Sequence, residues 1–122
     1  MIEVVVVGSL AFDSIKTPFA AHERILGGSA LFSSLAGSFF SKTGVVGVVG
    51  SDFGEKNLAR ISKKGIDLKG VKVSEGKTFF WEGYYDFDFN SAHTVKTELN
   101  VFSSIEPVLP DEYKRPVCLF LG

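Results

Sequence analysis

The feature that most constrains this chain is a set of short apolar runs that end at glycine and are separated by helix-length intervals. Ile2 to Val7 is mostly β-branched and stops at Gly8; Val45-Val46-Gly47-Val48-Val49-Gly50 is a second run, and Val117 to Leu121 a third. Runs of this length and composition suit strands buried on both faces of a parallel sheet. Between the first two, Ser29 to Phe40 carries Ala30, Leu31, Leu35, Ala36 and Phe39 at helical spacing, bounded by a glycine pair before it and Gly44 after it. That predicts a helix of roughly a dozen residues, about 18 Å long, and with its neighbours a βαβ unit. A second helix is expected near Phe53 to Lys64. Its apolar stripe is Leu58 and Ile61, Lys63-Lys64 suit its C-terminal end, and Gly65 supplies a left-handed stop. Alternating strands and helices argue for an α/β layered fold.

Residues 77–102 break the rhythm. Phe79, Phe80, Trp81, Tyr84, Tyr85, Phe87 and Phe89 crowd into one stretch. Thr94 to Phe102 alternates, with Val95, Leu99 and Val101 on one face and Lys96, Glu98 and Asn100 on the other. Period two with a polar face predicts strands covered on one side, here an antiparallel hairpin turning at Asn90 to His93. Its aromatic face needs a cover, whether a ligand, the main layer or a second subunit. Glu106 to Arg115, with Pro107 and Pro110, reads as a loop with one helical turn. A parallel strand at Val117 to Leu121 needs layers around it, so the chain is expected to be the N-terminal part of a longer protein.

Composition excludes several function classes. At 122 residues, with 45% hydrophobic and 22% charged residues, the chain suits one globular domain rather than a disordered one. A net charge of −1 gives no electrostatic support for nucleic-acid binding. No apolar run approaches the ~18 residues of a membrane span, and Met1-Ile2-Glu3 lacks the basic start of a secretory signal. The single Cys118 lies in an apolar run and is expected to be a buried thiol, which fits a cytoplasmic setting. His22 and His93 are isolated, with His22-Glu23 read as a solvated loop pair, so no metal site is expected. The chain holds neither a G-x-x-x-x-G-K-[ST] phosphate loop nor a G-x-S-x-G elbow. The turn Gly8-Ser9-Leu10-Ala11-Phe12-Asp13 is not a dinucleotide fingerprint.

Two features stand out as candidate binding elements. Asp13 falls just beyond the first strand, where α/β sheets place ligands, and a carboxylate there can accept hydrogen bonds from adjacent hydroxyls. The competing reading is a turn-forming aspartate. Gly27-Gly28 precedes the first helix and allows close approach of a ligand to the helix-start N–H groups; the competing reading is simple punctuation. Asp52 has an adequate structural role as the cap of the second helix.

Taken in order, Val6-Val7-Gly8-Ser9-Leu10-Ala11-Phe12-Asp13, Gly27-Gly28-Ser29-Ala30, Val46 to Gly54 and Lys64-Gly65-Ile66-Asp67 resemble the N-terminal half of the ribokinase-like, PfkB-type carbohydrate kinases. The resemblance covers nearly the whole chain. It implies a partial Rossmann-like three-layer α/β sandwich with a β lid, mapped to about 14–26 and the hairpin near 77–102. It also implies phosphoryl transfer from ATP, with Mg2+, to a hydroxymethyl group of a sugar or nucleoside, and a possible homodimer through the lid. On this resemblance Asp13, Gly27 and Gly28 hold the acceptor's hydroxyls. The family's G-G-x-x-x-N asparagine is replaced by Phe32, which either meets a flatter acceptor or packs in the core. The family's G-A-G-D motif, with its catalytic aspartate and anion hole, does not occur. The expectation is therefore an acceptor-binding portion with no catalytic residue and no cofactor of its own, inactive alone. The alternative is a non-catalytic binding or dimerisation module, with a nicotinamide-binding domain a distant third.

Overall fold

The computed structural model describes all of residues 1–122. Eight strands form two four-stranded sheets. The first contains β1 (Val4–Val7), β4 (Thr43–Gly50), β5 (Ile66–Ser74) and β8 (Cys118–Leu121), in the order β5-β4-β1-β8 and parallel throughout. The second contains β2 (Ala11–Lys16), β3 (Ala21–Gly27), β6 (Phe79–Tyr85) and β7 (Ala92–Glu98), in the order β3-β2-β6-β7. Its outer pairs are antiparallel and its central pair, β2 with β6, is parallel.

The helices α1 (Ser29–Ser38) and α2 (Gly54–Ser62) cover one face of the parallel sheet. Val6, Val45, Val49 and Ile66 meet Ala30, Leu31 and Ile61 there, with Leu35 and Leu58 at the margin. The period-two side chains of β1 and β4 that point the other way, Val5 and Val46, pack instead on Tyr113. Tyr113 arrives on a single 3₁₀ turn, Asp111–Tyr113, the one helical turn expected within Glu106 to Arg115. Its ring lies across Gly44 and Gly70, where a Cβ would stand 2.6 and 2.9 Å from ring atoms. Its hydroxyl donates to the Asp67 side chain and, at 3.0 Å, to the Asp67 carbonyl. Burial first, and then the Asp67 bond, push the Tyr113 phenol well above its ordinary range.

The partial three-layer α/β reading holds, and so do the βαβ unit, both helices and the antiparallel hairpin. Several details differ. The hairpin is half of a larger sheet, because residues 11–27 supply two strands of their own. His22 and Glu23 therefore sit in β3, not in a loop. β7 ends at Glu98 and Asn100–Ser104 is a 3₁₀ turn, so the alternation through Phe102 is not one strand. A register shift opposite Glu82/Gly83 interrupts it as well and leaves Val95 61% exposed. Cys118 is exposed, since β8 is bonded only to β1 and nothing covers it.

Asp52 does not cap α2, whose N-terminus has no side-chain cap. The Asp52 carboxylate accepts from the Thr78 N–H at 2.8 Å and the Thr78 hydroxyl at 2.6 Å. The same hydroxyl accepts the Gly50 N–H at 2.9 Å. Asp52 also lies 3.6 Å from the Arg24 guanidinium, which stacks 4.4 Å from the Phe12 ring centroid. This network joins the carboxyl end of β4 to the start of β6 and to β3. It fixes the second sheet beyond the carboxyl ends of the parallel strands.

Candidate functional site

Where the two sheets meet, the turn after β1 and the start of α1 are clasped by two serines. The Ser9 N–H donates to Ser29 Oγ at 3.1 Å and the Ser29 N–H to Ser9 Oγ at 3.0 Å, with the hydroxyls 3.2 Å apart. The Ala30 N–H reaches the Ser9 carbonyl at 2.9 Å. The helix start is thus capped from the neighbouring turn, because Gly28 has no side chain to do it. This corrects the expectation of free N–H groups: those of Ser29 and Ala30 already have protein acceptors. Gly28 itself takes φ 102° and ψ 152°, and a Cβ there would collide with the Ser9 carbonyl. Glycine is required at that position by conformation and by contact.

Asp13 lies on β2, paired with Ile25 of β3 and Trp81 of β6. Its carboxylate rests on the backbone of Gly27, where any Cβ would overlap Oδ2. Gly27 therefore makes room for Asp13. Burial alone pushes the Asp13 carboxyl above the usual carboxylate range; no hydrogen bond or charge from the protein offsets it. A half-buried carboxylate without a donor is not explained by turn geometry. It fits a group that receives its hydrogen bonds from outside the protein.

Asp13 opens into a cleft of about 440 Å³ between α1 and the second sheet. Gly28 and Phe32 line one wall, and Trp81 and Tyr85 the other. Phe32 is 59% exposed, so it is not a core residue. All four residues expected from the sequence (Asp13, Gly27, Gly28 and Phe32) converge here, Gly27 as the surface beneath the carboxylate. Trp81 and Tyr85 belong to the aromatic stretch whose face needed a cover, and of its seven aromatics these two stand with Phe79 in the lining of the cleft. Their signal is the odd-number alternation of β6, which puts Phe79, Trp81 and Tyr85 on the face that carries Ala11, Asp13 and Ile15 of β2. The parallel register of these two strands is what makes that phase visible.

A larger groove of about 510 Å³ runs between α1 and α2, floored by Leu31, Leu35 and Ile61 and rimmed by Arg60, Lys63 and Lys64. It holds no carboxylate, nucleophile or histidine, so it offers no chemistry comparable to the Asp13 cleft. No group of three or more His, Cys, Asp or Glu side chains is arranged to hold a metal ion. No helix is long and apolar enough to cross a membrane.

No family model matches the sequence. The chain is 28% identical over 118 residues to a cytidine kinase of Thermococcus kodakarensis, covering 93% of this chain and 40% of that protein. The ribokinase of Cryptococcus neoformans, solved with ADP, superposes with a TM-score of 0.78 at 14% identity, over 98% of this chain and 40% of that one. The nucleoside kinase of Methanocaldococcus jannaschii, described as an archaeal member of the ribokinase family, gives 0.70 at 16% identity, over 99% and 44%. The chain thus spans about 40% of the length of the relatives it matches. Two sheets joined at the carboxyl ends of parallel strands, with the glycine pair opening α1 between them, constitute a partial ribokinase-like fold of the PfkB type.

Proposed function

We propose that this chain is the acceptor-binding portion of an ATP-dependent kinase that phosphorylates a hydroxymethyl group of a sugar or nucleoside. The observation that carries the reading is Asp13: a half-buried carboxylate with no protein donor, resting on Gly27 beside Gly28 and the start of α1. Its two oxygens suit two adjacent hydroxyls. Gly28 lets the acceptor approach the backbone, Phe32 bounds the cleft, and the second sheet is the lid. Positioning and charge stabilisation dominate phosphoryl transfer, and this chain supplies the positioning half.

The groups expected for ATP and Mg2+ do not fit the residues present. No cluster of metal-ligating side chains is formed, and the sequence has no phosphate-binding glycine loop. No catalytic residue is assigned within the chain. In this reading ATP and Mg2+ belong to a part of the kinase that the chain does not span. A homodimer through the lid is supported by Phe19 and Phe87, 73% and 76% exposed, whose rings pack 5.6 Å apart at the tips of the two hairpins. A cytoplasmic setting belongs to the same proposal.

The test is Asp13→Asn, which keeps size but removes charge and turns one acceptor oxygen into a donor. A charge-assisted hydrogen bond contributes about 1.5–3 kcal/mol, so acceptor affinity should fall roughly tenfold to a hundredfold by calorimetric titration. Unchanged affinity in a folded variant would reject the site.

A further inference from the structure

The aromatic wall of the Asp13 cleft specifies the acceptor further, and the inference rests on the acceptor-site reading above. Trp81 does not project from the lid. It lies down along the sheet, its six-membered ring over Gly83, where any Cβ would overlap ring carbons. The indole N–H donates to Thr94 Oγ1 on β7 at 3.1 Å. The one polar atom of the indole is thus already bonded within the sheet, and the glycine beneath lets the ring lie flat. What Trp81 offers the cleft is a fixed π face. Opposite it, Phe32 projects from α1 into the same cleft, and Tyr85 adds a third ring on the Trp81 side.

The cleft is also chemically divided. Asp13 is its only charged lining residue, and no Lys, Arg or His borders it. A phosphorylated sugar would bring a dianion to the Asp13 carboxylate, and this chain places no cation in the cleft to receive it, which opposes its binding to this chain. A bare polyol would use Asp13 and leave the Trp81 and Phe32 faces wet. A volume of about 440 Å³ lies in the range of pockets for drug-sized ligands. We propose that the acceptor is a neutral nucleoside, its ribose hydroxyls on Asp13 and its base stacked on the Trp81 face, bounded by Phe32 and Tyr85. Trp81, with Gly83 and Thr94 holding it, is then the residue that selects a nucleoside over a free sugar.

Trp81 is the sole tryptophan, so its fluorescence reports directly from the proposed base site. The probes are cytidine, adenosine, ribose and ribose 5-phosphate, titrated into the protein by fluorescence and by calorimetry. Nucleosides are expected to quench Trp81 saturably and to bind at least roughly tenfold tighter than ribose, the scale of one base–aromatic stack. Ribose 5-phosphate should bind more weakly than ribose. Trp81→Leu, read by calorimetry, should abolish the nucleoside advantage, and Trp81→Phe should keep most of it. Ribose binding as tightly as the nucleosides, or ribose 5-phosphate binding more tightly, overturns the inference. So does a Trp81→Leu variant, folded by circular dichroism, with unchanged nucleoside affinity. Should the leucine variant not fold, the four-ligand comparison on the unaltered protein decides alone. Ribose binding that depends on Asp13, with no gain from a base, overturns this inference while the acceptor site stands. Binding of none of the four probes removes both.

Discussion

Asp13 concentrates the chemistry of this chain at the scale of a single residue. Its carboxyl titrates above the ordinary aspartate value because burial penalises the charge and no protein donor compensates. The charge that grips hydroxyls is therefore an expense to the fold. A raised folded-state pKa means that the folded state holds the proton more tightly than the unfolded state. The stability this contributes is complete below the unfolded value and is lost as pH rises through the folded one. At neutral pH ionised Asp13 strains the fold, so Asp13→Asn should leave the melting temperature unchanged or raise it while acceptor affinity falls. Acceptor affinity should run the other way with pH. It should hold at neutral pH and fall as the pH drops through a midpoint above 3.8, the ordinary aspartate value. Affinity measured by titration across the acidic range checks this; a midpoint at or below that value would mean that the carboxylate is not desolvated. Asp13 and Gly27-Gly28 were legible in the sequence because a charge after a strand and a glycine pair before a helix are local signals. That Gly27 is glycine on account of Asp13 was not legible, since the two meet only through the pairing of β2 with β3.

Legibility among the elements followed burial. β1 and β4 are apolar runs because both faces are covered, and α1 and α2 show their stripes because one face is. Strands without such patterns leave no mark in the sequence. β3 is exposed along most of its length, and β5 is an edge strand whose alternation breaks where its register with β4 shifts near Gly70. The network that holds the second sheet in place is hidden for a related reason. Asp52 looks like a cap in sequence, yet its partner Thr78 lies on another strand. Thr78 is 1% exposed and links Gly50 to Asp52. Thr78→Val keeps its shape and leaves the Gly50 N–H without an acceptor, so stability should drop by about 1–3 kcal/mol. Chemical denaturation measures it. A change within a few tenths of a kcal/mol would show that water replaces the hydroxyl and that the network is not an anchor.

For the whole molecule, the asymmetry of the parallel sheet matters most. One face carries two helices, whereas the other carries the Tyr113 turn, and β8 pairs on one side only. Val117, Leu119, Phe120 and Leu121 are 84%, 50%, 46% and 72% exposed, on or beside β8, whose outer side has no strand partner. Such an edge recruits further strands. The protein is expected to self-associate in sedimentation experiments at micromolar concentration, and lysine at 119 and 121 should shift it towards monomer. A concentration-independent monomer would count against an active edge. The place of β1 has a further consequence, in time rather than in space. Its two neighbours are β4 and β8, the latter paired residue by residue from Val4 with Cys118 to Val7 with Leu121. β1 thus waits for β8, which follows every other strand of this chain, before its hydrogen bonds are complete. Contacts that span nearly the whole chain must close a long loop before they stabilise anything. During that wait β1 is half-paired, and the rate at which β8 arrives sets the interval in which the chain is open to mispairing.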